Sequence, residues 1–177
     1  KLVMRLNEVT ELDITAATLD YLGRRLIVGC ASGQIKVIDL MTGHILKEST
    51  EEDCHLEEII ELSYCNSNST IVSSSCDRTL RVFDDRAEDT LPLLRGIDFK
   101  PLKLSHIAIS DSLCLIAVCA AESVLLLDFQ TLDVLMVCQA AHEHVSRISA
   151  VTFVNGWEAM ATADEDGIVL LWHVSRK

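Results

Sequence analysis

A period of about 45 residues is the feature that most limits what this chain can fold into. Four segments share one pattern: an apolar strand, a short turn, and a second apolar strand closed by an acidic or polar residue. They run 26–39, 71–84, 115–128 and 160–173, and their closing residues Asp39, Asp84, Asp128 and His173 lie 45, 44 and 45 apart. Each hairpin follows another short apolar strand, predicted over 14–19, 59–64, 104–109 and 148–153. The ends of these strands alternate apolar and polar with the period of two that half-buried strands show. Turn residues separate them from the hairpins: 20–23, 66–69, 110–112 and Asn155-Gly156. Asn-Gly is the strongest of these signals, because both residues tolerate the positive φ of a tight hairpin turn. A further strand follows the hairpin at 44–48, 91–96 and 134–139, and Leu2–Leu6 has the same character ahead of the first unit. No stretch sustains a helical period, and the gaps between strands are too short for crossover helices, so the chain reads as all-β.

Size and composition agree with one well-buried domain. The chain has 177 residues, of which 49 % are hydrophobic but only 5 % aromatic, so aliphatic side chains must fill the core. Acidic residues outnumber basic ones by 27 to 15, a formal charge of −12. Such a charge repels nucleic-acid phosphates and anionic membranes, and it favours basic protein segments among charged partners. No apolar run approaches the roughly 18 residues of a membrane helix. Seven cysteines, an odd count with mostly apolar neighbours, point to reduced, buried thiols in the cytoplasm. The chain opens at Lys1, not Met, and is expected to be a piece of something longer.

The candidate chemistry is sparse. His142 and His144 lie near Cys138, and Cys54 adjoins His55, but the paired cysteine spacing of a structural zinc site is missing. Asp164, Glu165 and Asp166 are neighbours on one hairpin, whereas catalytic carboxylates face each other across a cleft. Ser73, Ser74 and Ser75 lie inside a predicted strand without the glycine context of a nucleophile elbow. There is no phosphate-binding glycine loop and no basic-aromatic stacking platform. Trp157 follows a hairpin glycine, and packing is the expected role for it. These residues imply neither an enzyme nor a cofactor nor a metal site.

Four strands of about five residues in each 45-residue unit form the layout of a propeller blade. The units resemble WD repeats, and the resemblance spans essentially the whole chain. It rests on a tetrad of His, Ser or Thr, Asp and Trp. The fourth repeat has His144, Thr162, Asp166 and Trp172 at the required spacings; the second has His55, Ser73 and Asp77, with Phe83 in the Trp position. The first repeat has Ser32 and Ile38 at the Asp and Trp positions, and the third has Ala121 and Leu127. The resemblance implies four four-stranded antiparallel blades, part of a larger seven- or eight-bladed ring. Their expected bounds are 13–50, 51–97, 98–139 and 140–177, after an outer strand and linker at 1–12. It implies a protein-interaction scaffold, with Glu165 and Arg147 as candidate partner contacts on the rim. It also implies that Asp166→Ala costs more stability than Ser32→Ala. Repeats two to four further resemble the propeller portions of large EF-hand-linked WD-repeat proteins of cilia and flagella. That likeness implies a cytoskeletal or ciliary place, with permanent architecture as the alternative to a recognition role. A row of four blades leaves two apolar end faces bare, to be covered by further blades, a second copy, or closure of the four on themselves.

Overall fold

The computed structural model describes residues 13–138, 146–154 and 156–175. Among them are fifteen strands and no helix. The first sheet holds β1 (Ile14–Leu19), β2 (Arg25–Cys30), β3 (Ile35–Asp39) and β4 (Ile45–Glu48) in chain order. The second holds β5 (Ile59–Cys65), β6 (Thr70–Ser75), β7 (Thr79–Asp84) and β8 (Leu93–Asp98). The third holds β9 (Leu104–Ser110), β10 (Leu115–Ala120), β11 (Ser123–Asp128) and β12 (Val134–Cys138). The fourth has three strands among the described residues: β13 (Ile148–Val154), β14 (Ala159–Asp164) and β15 (Val169–His173). Four antiparallel sheets with neighbour-to-neighbour connections are four blades. The expected segment at 2–6 lies outside the described residues.

The chain divides into two compact units, 1–77 with 81–95, and 78–80 with 96–177. In the first, Ile27, Ile35 and Val37 of one blade pack against Ile59, Leu62, Ile71 and Phe83 of the next. Gly29 is required there: a Cβ on it would lie 2.6 Å from the Cβ of Ile59. The second unit repeats the arrangement, with Leu115, Ala117, Val124 and Leu126 against Ile148 and Met160. Each such buried Ile, Leu or Val stabilises the fold by roughly 1.5–3 kcal/mol.

The residues that close the hairpins have a local task. Asp39 accepts the amides of Met41 and Thr42, Asp128 those of Gln130 and Thr131, and Asp84 that of Arg86. A carboxylate that caps the next turn explains why three of the four hairpins end in Asp.

The third hairpin corrects the sequence alignment. Cys30 pairs with Gln34, and Asp164 with Ile168, so the first and fourth hairpins turn through three residues. In the third, Ala120 faces Ser123, and the turn is only Ala121-Glu122. The single 44-residue interval therefore has a location: this turn is one residue short. Ala121 sits at φ +56°, at the first position of a two-residue turn, rather than at the Asp position of a three-residue one.

Candidate functional site

The second blade assembles its polar residues around His55. The loop before β5 brings the imidazole over β6, where Nε2 lies 2.7 Å from the hydroxyl of Ser73. Its Nδ1 lies 3.0 Å from the Asp77 carboxylate, which stands in the turn after β6. A carboxylate only accepts, so Nδ1 carries the proton, and Nε2 accepts from the Ser73 hydroxyl. Burial pushes the imidazole down to about 4, although the Asp77 charge pulls the other way, so His55 is neutral at pH 7. The free energy of the Asp77 contact is thus that of a charge-assisted hydrogen bond rather than an ion pair.

Hydroxyl, imidazole and carboxylate in this order form the contact chain of a serine hydrolase. Here the three residues are 0, 1 and 7 % exposed, which leaves a substrate carbonyl no approach to Ser73. The Asp77 carboxylate also accepts the amide of Leu56, at 3.0 Å. This polar cluster holds backbone. Phe83, in the position where a Trp was wanted, is fully buried and fills the space without offering a donor.

The loop at 50–58 is pinned from several sides. Arg81 donates to the carbonyls of Asp53 and Cys54, both at 2.9 Å. Ser75 donates to the Glu57 carbonyl, and the His55 amide to the Gly33 carbonyl. Gly33 has φ +85°, and a Cβ on it would collide with the His55 carbonyl. The loop carries Glu51, Glu52, Leu56, Glu57 and Glu58 exposed to solvent. Packing thus makes an acidic rim stiff.

In the fourth blade the indole of Trp172 donates to the Thr162 hydroxyl at 2.8 Å. His144 lies outside the described residues. Asp166 is exposed, and its amide donates to Asp164. Asp164 is the buried carboxylate of this turn, and it also accepts from Ile168. It stands where Ser75 stands in the second blade, and Ser75 likewise accepts the amide two residues on. Asp166 thus takes the place that Asp77 has in the second blade, and the tetrad expected around it lies partly outside the described residues, as His144 does. Glu165 and Arg147 are both exposed, and the Glu165 amide bonds the Arg147 carbonyl at 3.1 Å, which brings the two rim candidates together. In the first blade Ser32 is exposed and bonds only locally, to the Gln34 amide, while Ile38 is buried.

The profile of the WD domain, G-beta repeat, matches residues 47–84. The beta-propeller domain of Myceliophteria thermophila Cps50 (Swd1) superposes with a TM-score of 0.80 over 93 % of this chain and 52 % of its own, at 18 % identity. The computationally designed Ika4 protein does so with a TM-score of 0.75 over 94 % of both chains, at 23 % identity. One WD repeat, at residues 47–84, and the fold of a β-propeller are thus shown for this chain. A Tetrahymena thermophila protein, cilia- and flagella-associated protein 337 B, is 25 % identical over 101 residues, which are 57 % of this chain. The match takes in 8 % of that relative's length.

A second polar cluster joins residues that no sequence motif brings together. Arg25 on β2 donates through Nε to Asp20 at 3.1 Å, and through its two terminal nitrogens to Asp85 at 3.0 and 2.7 Å. Lys47 on β4 reaches the same Asp85, at 3.1 Å, and the Tyr64 hydroxyl donates to it at 3.0 Å. The guanidinium lies 5.9 Å from the Tyr64 ring centre. Burial raises the Asp20 carboxyl, yet the bonds from Arg25 and Arg24 hold it below the usual carboxylate range. Burial lowers Arg25, and Asp85 and Asp20 more than reverse that. Burial, then the Asp85 charge, pushes the Tyr64 hydroxyl up. These five side chains come from two blades and read individually as ordinary surface residues.

Among the described residues, no three His, Cys, Asp or Glu side chains converge as for a metal ion. No helix among them is long and apolar enough to cross a membrane. Four cysteines are buried, but Cys54, Cys76 and Cys114 are partly exposed, which differs from the expected burial of all seven. Trp157 is exposed rather than packed.

Proposed function

We propose that this WD-repeat chain is a non-catalytic protein-interaction scaffold whose acidic loop rims recognise basic segments of other proteins. One observation carries the reading: the buried His55–Ser73–Asp77 cluster spends its bonding on the loop that presents Glu57 and Glu58. A stiff loop loses little conformational entropy on binding, and its carboxylates steer positive partners. Glu165 and Arg147 are the corresponding rim contacts of the fourth blade, and a cofactor has no part in this role. The formal charge of −12 disfavours nucleic acid and anionic membrane as partners.

The test is capture from native extract by the wild type and by a Glu57→Lys, Glu58→Lys, Glu165→Lys variant. The rim reading predicts salt-sensitive partners that the variant loses. An unchanged captured set would overturn it.

A second reading is a permanently bound architectural element of a large cytoskeletal or ciliary assembly, with a cytoplasmic location common to both. The similarity to a cilia- and flagella-associated protein favours it. Insolubility or degradation of the chain expressed alone, relieved by co-expressed axonemal components, would select this reading over the first.

A further inference from the structure

A side-chain hydroxyl is open to an enzyme only where it is exposed, and the charges that follow it decide which enzyme selects it. Among the described residues four hydroxyls have a carboxylate three positions on: Ser49, Thr50, Ser74 and Thr162, followed by Glu52, Asp53, Asp77 and Glu165. Three of the four are closed off. Ser49 is 3 % exposed and accepts the Ile35 amide, Ser74 is 0 % exposed, and Thr162 is 1 % exposed and accepts the Trp172 indole. Thr50 alone of the four is exposed, and it alone has carboxylates at all three following positions, Glu51, Glu52 and Asp53.

The surroundings of Thr50 suit an acceptor. Its Oγ1 receives the Asp53 amide at 3.3 Å, longer than a good bond of this type, so the oxygen is held only weakly. Glu51 and Glu52 are exposed beside it, and Asp53 is partly exposed, one of its oxygens receiving the Leu93 amide at 3.3 Å. From 50 to 58 the chain carries five carboxylates, Glu51, Glu52, Asp53, Glu57 and Glu58, and no lysine or arginine. The reactive group is the hydroxyl; the carboxylates are what a basic enzyme groove reads.

We propose that Thr50 is a phosphorylation site, recognised by a protein kinase whose substrate groove carries basic residues. The Thr50 Oγ1 attacks the γ-phosphorus of ATP. The new O–P bond forms as the bond to the departing ADP oxygen breaks, and the hydroxyl proton passes to a base of the kinase. Glu51, Glu52 and Asp53 supply the selectivity, because basic subsites that pair with carboxylates reject segments of other charge. The product adds roughly two negative charges to the loop. It thereby strengthens the hold of the rim on basic segments, and this consequence alone rests on the acidic-rim reading given above.

Incubation of the folded chain with casein kinase II, which selects acceptors followed by acidic residues, and magnesium ATP tests this, with fragment mass spectra as the readout. The wild type should take up a phosphoryl group on Thr50, Thr50→Val should lose it, and Thr50→Ser should keep it. Reversing Glu51 and Glu52 together to Lys should slow the uptake on the order of tenfold. Far-UV spectra report whether each variant keeps its sheets. Absence of phosphate from Thr50, uptake by the urea-unfolded chain alone, or a rate indifferent to the reversal of Glu51 and Glu52 would overturn the proposal. A phosphorylated chain that binds a decalysine peptide no more tightly than the unmodified one would leave the site standing and count against the acidic-rim reading instead.

Discussion

The guanidinium of Arg25 grips the carboxylate of Asp85 through two bonds, 3.0 and 2.7 Å long, and ties the first blade to the second. The two residues are 60 positions apart, and Asp85 also receives Lys47 and Tyr64. A planar two-pronged contact of this kind fixes the angle between its partners as well as their distance. Asp85→Ala would leave Arg25 and Lys47 facing each other without the anion, and should destabilise the fold by about 2–4 kcal/mol. Arg25→Lys should recover only part of that contact, because an ammonium cannot bond both oxygens in plane. Urea melts of the three proteins check both expectations.

The buried cluster of the second blade makes a contrasting pair of substitutions. Asp77→Ala strands the His55 Nδ1–H and the Leu56 amide, and should cost on the order of 1–3 kcal/mol. Asp166→Ala removes an exposed carboxylate and should change stability by less than about 0.5 kcal/mol. Equal losses in denaturant melts would mean that the fourth-blade turn is built on Asp166 after all.

His55 gives stability a pH dependence of known sign. Its folded-state value near 4 lies below the ordinary 6.5, so the unfolded chain binds the proton first. The contribution is complete above pH 6.5 and is lost as the pH falls from there toward 4. Its ceiling is about 3 kcal/mol, from 1.36 kcal/mol for each unit. The urea midpoint of the wild type should fall across this window more steeply than that of His55→Gln.

Two turn positions should respond to glycine in opposite directions. Ala121→Gly removes a left-handed alanine from a two-residue turn and should stabilise by up to about 1 kcal/mol. Gly33→Ala puts a Cβ 2.2 Å from the His55 carbonyl oxygen at φ +85°, and should destabilise by more than about 2 kcal/mol. Thermal midpoints of the two variants should move to opposite sides of the wild type.

Strands and their order were legible because blade residues alternate and recur. The strand predicted over 14–19 matches β1 residue for residue, and 59–64, 104–109 and 148–153 each fall one residue short of β5, β9 and β13. The outer strands start later than read, Ile45 for 44 and Leu93 for 91. Three features stayed hidden. An alignment without gaps forced Ala121 into a turn position that the third hairpin lacks. The fourth turn offers three carboxylates in a row, and only burial distinguishes Asp164 from Asp166. The Arg25–Asp85 cluster joins charges from two blades, a pairing no local pattern encodes.

Hydrogen exchange at the Leu56 amide tests most directly whether a buried cluster holds the acidic rim rigid. The side chain of Leu56 is exposed, so only the bond from its amide to Asp77 can slow the exchange. The account predicts strong protection in the wild type, loss of it in Asp77→Ala, and no change in Asp166→Ala. Exchange at the rate of a free loop in the wild type, or protection that survives Asp77→Ala, would contradict it.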